Sequence, residues 1–221
     1  MSVQSGSGTE PTAVVKPSWR GWLHAVAFPV VTVAGIVLVA TATTTAGQVS
    51  SAIFSTTAAL LFGVSALLHR GAWSSTVEDL LRRIDHANIY LIIAGTYTPF
   101  AVVALPPRDG KLLLVIVWTG ALAGAAFRIF WTGAPRWLST TLYVVVGWIV
   151  VFFLPELVNG AGTVAVVLIA LGGVLYTIGA VVYGMKRPNP WPGTFGFHEV
   201  FHSLTVAAFV THYIAVWIVV H

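Results

Sequence analysis

Polar and apolar positions along this chain fall into long blocks. After a polar opening from Met1 to about Lys16, apolar runs follow one another at short spacing. A helix needs ~20 residues to cross ~30 Å of hydrocarbon. Seven runs reach that length: about Gly21–Ala42, Val49–His69, Asp85–Leu105, Lys111–Phe130, Leu138–Leu157, Thr163–Tyr183 and Gly196–Val220. In lipid the backbone must satisfy its own hydrogen bonds, so such runs are helices. A β-barrel would need alternating segments of ~10 residues, and these runs do not alternate. The pattern therefore predicts an all-α integral membrane protein, a bundle of seven transmembrane helices.

The connections are short. Between the second and third runs, Ser75-Thr76-Val77-Glu78 has capping-box spacing, and Val77, Leu80, Leu81 and Ile84 recur at helical intervals. This predicts a short amphipathic helix on the membrane surface. Pro106-Pro107-Arg108-Asp109-Gly110 reads as a turn. Pro188-Asn189-Pro190 and Pro192-Gly193 read as a stiff linker into the last helix. Residues 1–19 read as a disordered tail and 20–221 as one membrane domain. The tail lacks the basic stretch and apolar core of a signal peptide.

Basic residues orient the bundle. Lys16, Arg20, Arg70, Arg82, Arg83, Arg128, Arg136, Lys186 and Arg187 fall on the N-terminal side, and only Arg108 and Lys111 on the other. Positive-inside bias then puts the N-terminus in the cytoplasm and the C-terminus outside. Trp19, Trp22, Trp73, Trp131, Trp137 and Trp191 cluster at the same ends, as an aromatic belt would. Composition agrees. Of 221 residues 57% are apolar and 8% charged, against roughly 25% charged in a soluble domain. Mean hydropathy is +0.88. This excludes a soluble enzyme, a coiled coil and a disordered chain. The net charge of +4 reflects topology and not nucleic-acid binding, because no basic run exists to carry it. Cysteine is absent, so thiolate chemistry is excluded, and a metal site would have to use His, Asp or Glu.

Ionisable groups within spans cost ~2.5–3.5 kcal/mol each on insertion scales and ask for a reason. Here they are His24, His69, Asp85, His86, His198, Glu199, His202 and His212. Helix direction brings His24, His69, Asp85, His86, His198 and His202 to one depth near the cytoplasmic face. His198 and His202 share a helical face, as do Ser65 and His69. Any one of these histidines is ordinarily an interfacial side chain. Three together beside a carboxylate suit zinc, which takes three protein ligands and keeps an open position in catalytic sites. We read His69, His198 and His202 as metal ligands. Asp85 is then a group that holds or deprotonates bound water, and Ser65 orients a ligand or touches substrate. His198-Glu199-Val200-Phe201-His202 also fits H-E-x-x-H, in which the Glu is the base. Asp85 and Glu199 are thus rivals for one role. His24 and His86 read as interfacial or as outer partners of the ligands. His212 lies mid-helix, roughly 80° around from His202, and reads as a structural hydrogen-bonding residue. Gly95, Gly120, Gly124, Gly172 and Gly173 read mostly as sites of close helix packing.

At these residues the chain resembles a known family. Ile84-Asp85-His86-Ala87-Asn88-Ile89-Tyr90, continuing through Ala94-Gly95-Thr96-Tyr97-Thr98-Pro99-Phe100, closely resembles the third-helix signature of the hemolysin III family. That family is the bacterial branch of the progestin and adipoQ receptor (PAQR) superfamily. Ser65 and His69 match its second-helix motif, and Phe197 to His202 its seventh. The resemblance runs from about Arg20 onward. It implies a seven-helix bundle with its N-terminus inside. It also implies zinc on His69, His198 and His202, as in the adiponectin receptors, with Asp85 and Ser65 beside it. The family's acidic residue ahead of the first helix is replaced here by Ser18-Trp19-Arg20-Gly21-Trp22, so no role for it carries over.

Three functions follow as expectations. The first is a zinc-dependent hydrolase of a lipid amide or ester, ceramidase-like, with membrane lipid as its partner and a role in lipid homeostasis. The second is a sensor of membrane state with a structural zinc. The third, suggested by the family name, is a cytolysin. Uninterrupted apolar spans speak against it.

Overall fold

The computed structural model describes residues 17–131 and 133–221, so Met1 to Lys16 of the expected tail lie outside it. Its helices are α1 (Trp22–Thr41), α2 (Thr45–Arg70), α3 (Ser75–Pro99), α4 (Pro107–Phe130), α5 (Arg136–Gly147), α6 (Leu154–Met185) and α7 (Phe197–Val220). Among the described residues no strand forms; Trp191 and Phe195 make one isolated bridge. Six segments are long and apolar enough to cross a membrane, and one of them, Arg136–Met185, is 50 residues long. Their outward faces are apolar: Val26, Val30, Val33 and Ile36 of α1 are all more than 60% exposed. That surface suits lipid and not water. The fold is an integral-membrane helical bundle.

The long segment doubles back. Trp148 Nε1 donates to Thr177 Oγ1 at 3.0 Å, although 29 residues of straight helix would separate them by ~43 Å. The reversal lies midway, at Gly162, whose φ of 80° and ψ of 158° are not helical. Glycine is the residue that adopts positive φ without steric cost. The segment is therefore an antiparallel pair of helices.

Three expectations need correction. Residues 75–84 are not a separate surface helix. They are the first turns of α3, because no Gly or Pro interrupts the helix and Arg82 pairs with Glu78 and Asp79. Glu78 is spent on that pair and closes no capping box. The turn expected at 106–110 is shorter, since Pro107 begins α4; proline suits a first helical position. Finally, Leu138–Leu157 is not one α-helix. A 3₁₀ stretch, Ile149–Phe153, interrupts it. Gly147 and a run of β-branched and aromatic residues favour α-helix weakly. Tyr97 makes the break tolerable in lipid: its hydroxyl donates to Gly147 O at 2.6 Å and accepts from Val150 N at 2.9 Å. Irregular backbone at membrane depth needs such partners.

α1 packs along α2, α2 along α3, α3 along α4 and α6 along α7. Glycines permit the close approaches. A Cβ at Gly124 would strike the Tyr90 ring, and one at Gly95 would strike Thr57. Gly120 and Gly173 have ordinary clearances. Trp19, Trp22, Trp73, Trp131, Trp137 and Trp191 are all exposed.

Candidate metal centre

The end of α2 and the start of α7 carry the histidines. His69 is the penultimate residue of α2, and His198 and His202 lie one turn apart on α7. One ring nitrogen from each lies within 4.8 Å of the others. The Nε2 atoms of His69 and His198 are 3.0 Å apart. An ion with bonds of ~2.0–2.1 Å sets its nitrogen ligands ~3.3 Å apart, a separation of the same scale. His202 is buried and the other two are half-buried. The donors are neutral when deprotonated, soft enough for a borderline transition metal, and fixed on two helices. This group can hold a metal ion.

The local sequence explains the placement. Gly21 caps α1 in the left-handed region, and a Cβ there would come within 2.6 Å of His69 Cβ. Glycine lets the chain entering α1 pass directly against His69. At α7, Glu199 reaches back to accept from the Gly196 amide at 2.9 Å, satisfying one orphan donor of the first turn. Arg20 Nε donates to the same carboxylate. Ser18 N and Trp19 N donate to Gly193 O and Thr194 O. The segment before α1 thus ties down the helix start that bears two histidines.

An apolar cavity adjoins the histidines. Its wall includes His24, Ser65, Asp85, His86, His198 and His202. Asp85 is the single carboxylate among its lining residues, and Ser65 lines the same wall. Glu199 faces Arg20 and the Gly196 amide and does not line the cavity.

Other residues differ from their sequence reading. His24 is 2% exposed, and its ring stacks on His202 at 3.8 Å and 1°. Depth alone suggested its level in the membrane but not this contact, which depends on how α1 packs on α7. His86 Nδ1 lies 2.9 Å from Arg128 Nη2, and His86 Nε2 lies 3.3 Å from the Tyr183 hydroxyl. Arg128 and Tyr183 had read only as loop charge and helix end. His212 hydrogen-bonds Ile169 O at 3.1 Å, as a structural residue would. Yet it lines the same cavity as His202 despite its angular offset.

Comparison with known proteins agrees with this picture. The sequence profile of a family described as "Haemolysin-III related" matches residues 12–213. The chain is 39% identical over 158 residues to "Hemolysin-3 homolog" of Bacillus subtilis, covering 72% of this chain and 71% of that one. It is 35% identical over 140 residues to "Hemolysin-3" of Bacillus cereus, covering 63% and 64% respectively. A more distant match, 24% over 131 residues, is to "Adiponectin receptor protein" of Drosophila melanogaster. It covers 57% of this chain but 24% of that protein. The chain belongs to the haemolysin-III-related family of multi-pass membrane proteins.

Proposed function

We propose that this protein is a zinc-dependent hydrolase of the bacterial inner membrane, acting on a lipid amide or ester and so on membrane-lipid balance. The carrying observation is that the His69–His198–His202 cluster adjoins one apolar cavity, whose wall holds His198 and His202 together with Asp85 and Ser65. His69, His198 and His202 would hold the ion. Zinc, when bound, supplies Lewis acidity and lowers the pKa of a bound water toward ~7. Asp85 then accepts a proton at its carboxylate and returns it to the leaving group. Ser65 fixes that carboxylate's orientation. The Ile89, Ile92, Ile93 and Phe100 side chains of the wall hold an acyl chain and exclude water. Seven crossings with a cytoplasmic N-terminus fit the reversal at Gly162 and the biased distribution of Lys and Arg.

The test is metal content by mass spectrometry on detergent-purified wild type, His202→Ala and Asp85→Asn, followed by lipid-amide and lipid-ester hydrolysis assays. We expect about one zinc per chain in wild type and Asp85→Asn, none in His202→Ala, and hydrolysis in wild type alone. Zinc retained without turnover on any lipid would favour the sensor with a structural metal. Absence of metal from every preparation made without chelator would end both readings.

A further inference from the structure

The cavity is long. Asp85, Ile89, Ile93 and Thr96 line it from one face of α3, with Phe100 just past its end, a span of about 22 Å at 1.5 Å per residue. Its polar groups are concentrated at the histidine end. Deeper in, most hydrogen-bonding capacity is already used. Trp148 is bonded to Thr177, Thr177 donates to Gly173 O, and Thr205 donates to Phe201 O. Two atoms are exceptions. The Tyr176 hydroxyl and His212 Nδ1 are buried without a partner. Both residues line the cavity, and their rings lie 5.5 Å apart.

Their chemistry is complementary. His212 Nε2 donates to Ile169 O, so in the neutral ring Nδ1 is a bare acceptor. The Tyr176 hydroxyl is free to donate. The imidazole is held at a cost: it sits where a Cβ on Gly172 would come within 2.3 Å of it, in the middle of a spanning helix. Packing alone would be served by an apolar side chain.

We propose that Tyr176 and His212 form a second polar subsite that takes a hydroxyl group carried on the chain of a bound lipid. The inference rests on the reading that the cavity receives a lipid chain headed at the histidine cluster. A secondary hydroxyl donates to His212 Nδ1 and accepts from Tyr176. His202 and His212 are ten residues apart on α7, about 15 Å along its axis. An extended chain advances ~1.2 Å per bond, which places the hydroxyl about twelve bonds from the head group. An unsubstituted chain would leave both buried groups unpaired, and sites built to hydrogen-bond a ligand hydroxyl discriminate against analogues lacking it.

The test is competitive binding to the full-length protein in lipid nanodiscs. An equimolar mixture of stearate, 12-hydroxystearate and 2-hydroxystearate is equilibrated with it, and the retained acids are quantified by mass spectrometry. We expect 12-hydroxystearate to be retained roughly three- to tenfold over stearate. In Tyr176→Phe and in His212→Leu that preference falls to about unity, while the ratio of 2-hydroxystearate to stearate stays unchanged. Tyr176→Phe alters one atom in the ring's shape, so the test survives if His212→Leu fails to fold. Equal retention of stearate and 12-hydroxystearate by wild type would mean that the pair serves only an ordered water, and would overturn the subsite alone. Retention of none of the three acids would overturn it together with the lipid reading of the cavity.

Discussion

The imidazole of His24 lies flat against that of His202, with ring centroids 3.8 Å apart and planes 1° from parallel. The stack restricts rotation of the His202 ring without using its nitrogens. The Phe62 ring also packs on His24, edge-on at 4.9 Å. Groups that orient metal ligands are commonly worth 10–100-fold in affinity. We therefore expect His24→Leu to bind zinc about tenfold more weakly than wild type, with one ion still bound at saturation. His202→Ala should lose the site. Competition against a chromophoric chelator measures both, and an unchanged affinity in His24→Leu would remove the orienting role.

Tyr97→Phe should destabilise the bundle out of proportion to one lost hydroxyl. That oxygen serves both Gly147 O and Val150 N across the 3₁₀ break. Each unsatisfied buried backbone group costs ~1–3 kcal/mol. A loss of about 2–4 kcal/mol is expected, read from unfolding in mixed micelles of sodium dodecyl sulfate and a mild detergent. Tyr90→Phe is the control: its hydroxyl is buried without a partner and should be neutral or stabilising.

Glu199 is buried, paired with Arg20 and bonded to the Gly196 amide. Removing one partner of a buried ion pair costs about 3–5 kcal/mol, and Arg20 is 20% exposed, which argues for the lower end. Glu199→Ala should therefore lower stability by about 3 kcal/mol. Glu199→Gln keeps an oxygen for the Gly196 amide and should lose less. Zinc stoichiometry should remain near one in Glu199→Gln. Loss of the metal there, with the fold intact, would place this carboxylate in the metal centre after all.

The charge on Arg128 dictates a tautomer. A guanidinium has no acceptor, so at 2.9 Å from it His86 Nδ1 must accept. The proton then resides on Nε2, which donates to the Tyr183 hydroxyl. Nitrogen-15 spectra of His86 should show the Nε2–H form as the single neutral species in wild type. In Arg128→Leu the two tautomers should mix.

Periodicity and length made six of the seven runs legible, because lipid leaves so little choice of backbone, although α2 and α4 begin four residues before the expected starts and α3 ten. The fifth escaped for the same reason it is unusual: its break depends on a hydroxyl from α3, fifty residues away in sequence. α3 extends past its apolar run because charged residues at helical spacing continue a helix as well as they interrupt a hydrophobic count. His69, His198 and His202 were found by depth, a one-dimensional quantity that alternating helices convert into proximity. Depth does not give azimuth. It could neither stack His24 on His202 nor turn Glu199 toward Arg20, and the angular offset of His212 hid that a broad cavity touches both it and His202.

The two arms of the histidine cluster come from distant parts of the chain: His69 and His198 are 129 residues apart. An ion shared between them acts on the unfolded chain as a cross-link would. Closing a loop of that size removes at most about 5 kcal/mol of chain entropy from the denatured state, and less where separated helices already lie confined in a bilayer. An ion held there would thus tie the first half of the bundle to the last. Metal starvation in a cell would then register first as turnover of the protein by proteases, before any chemistry was missed.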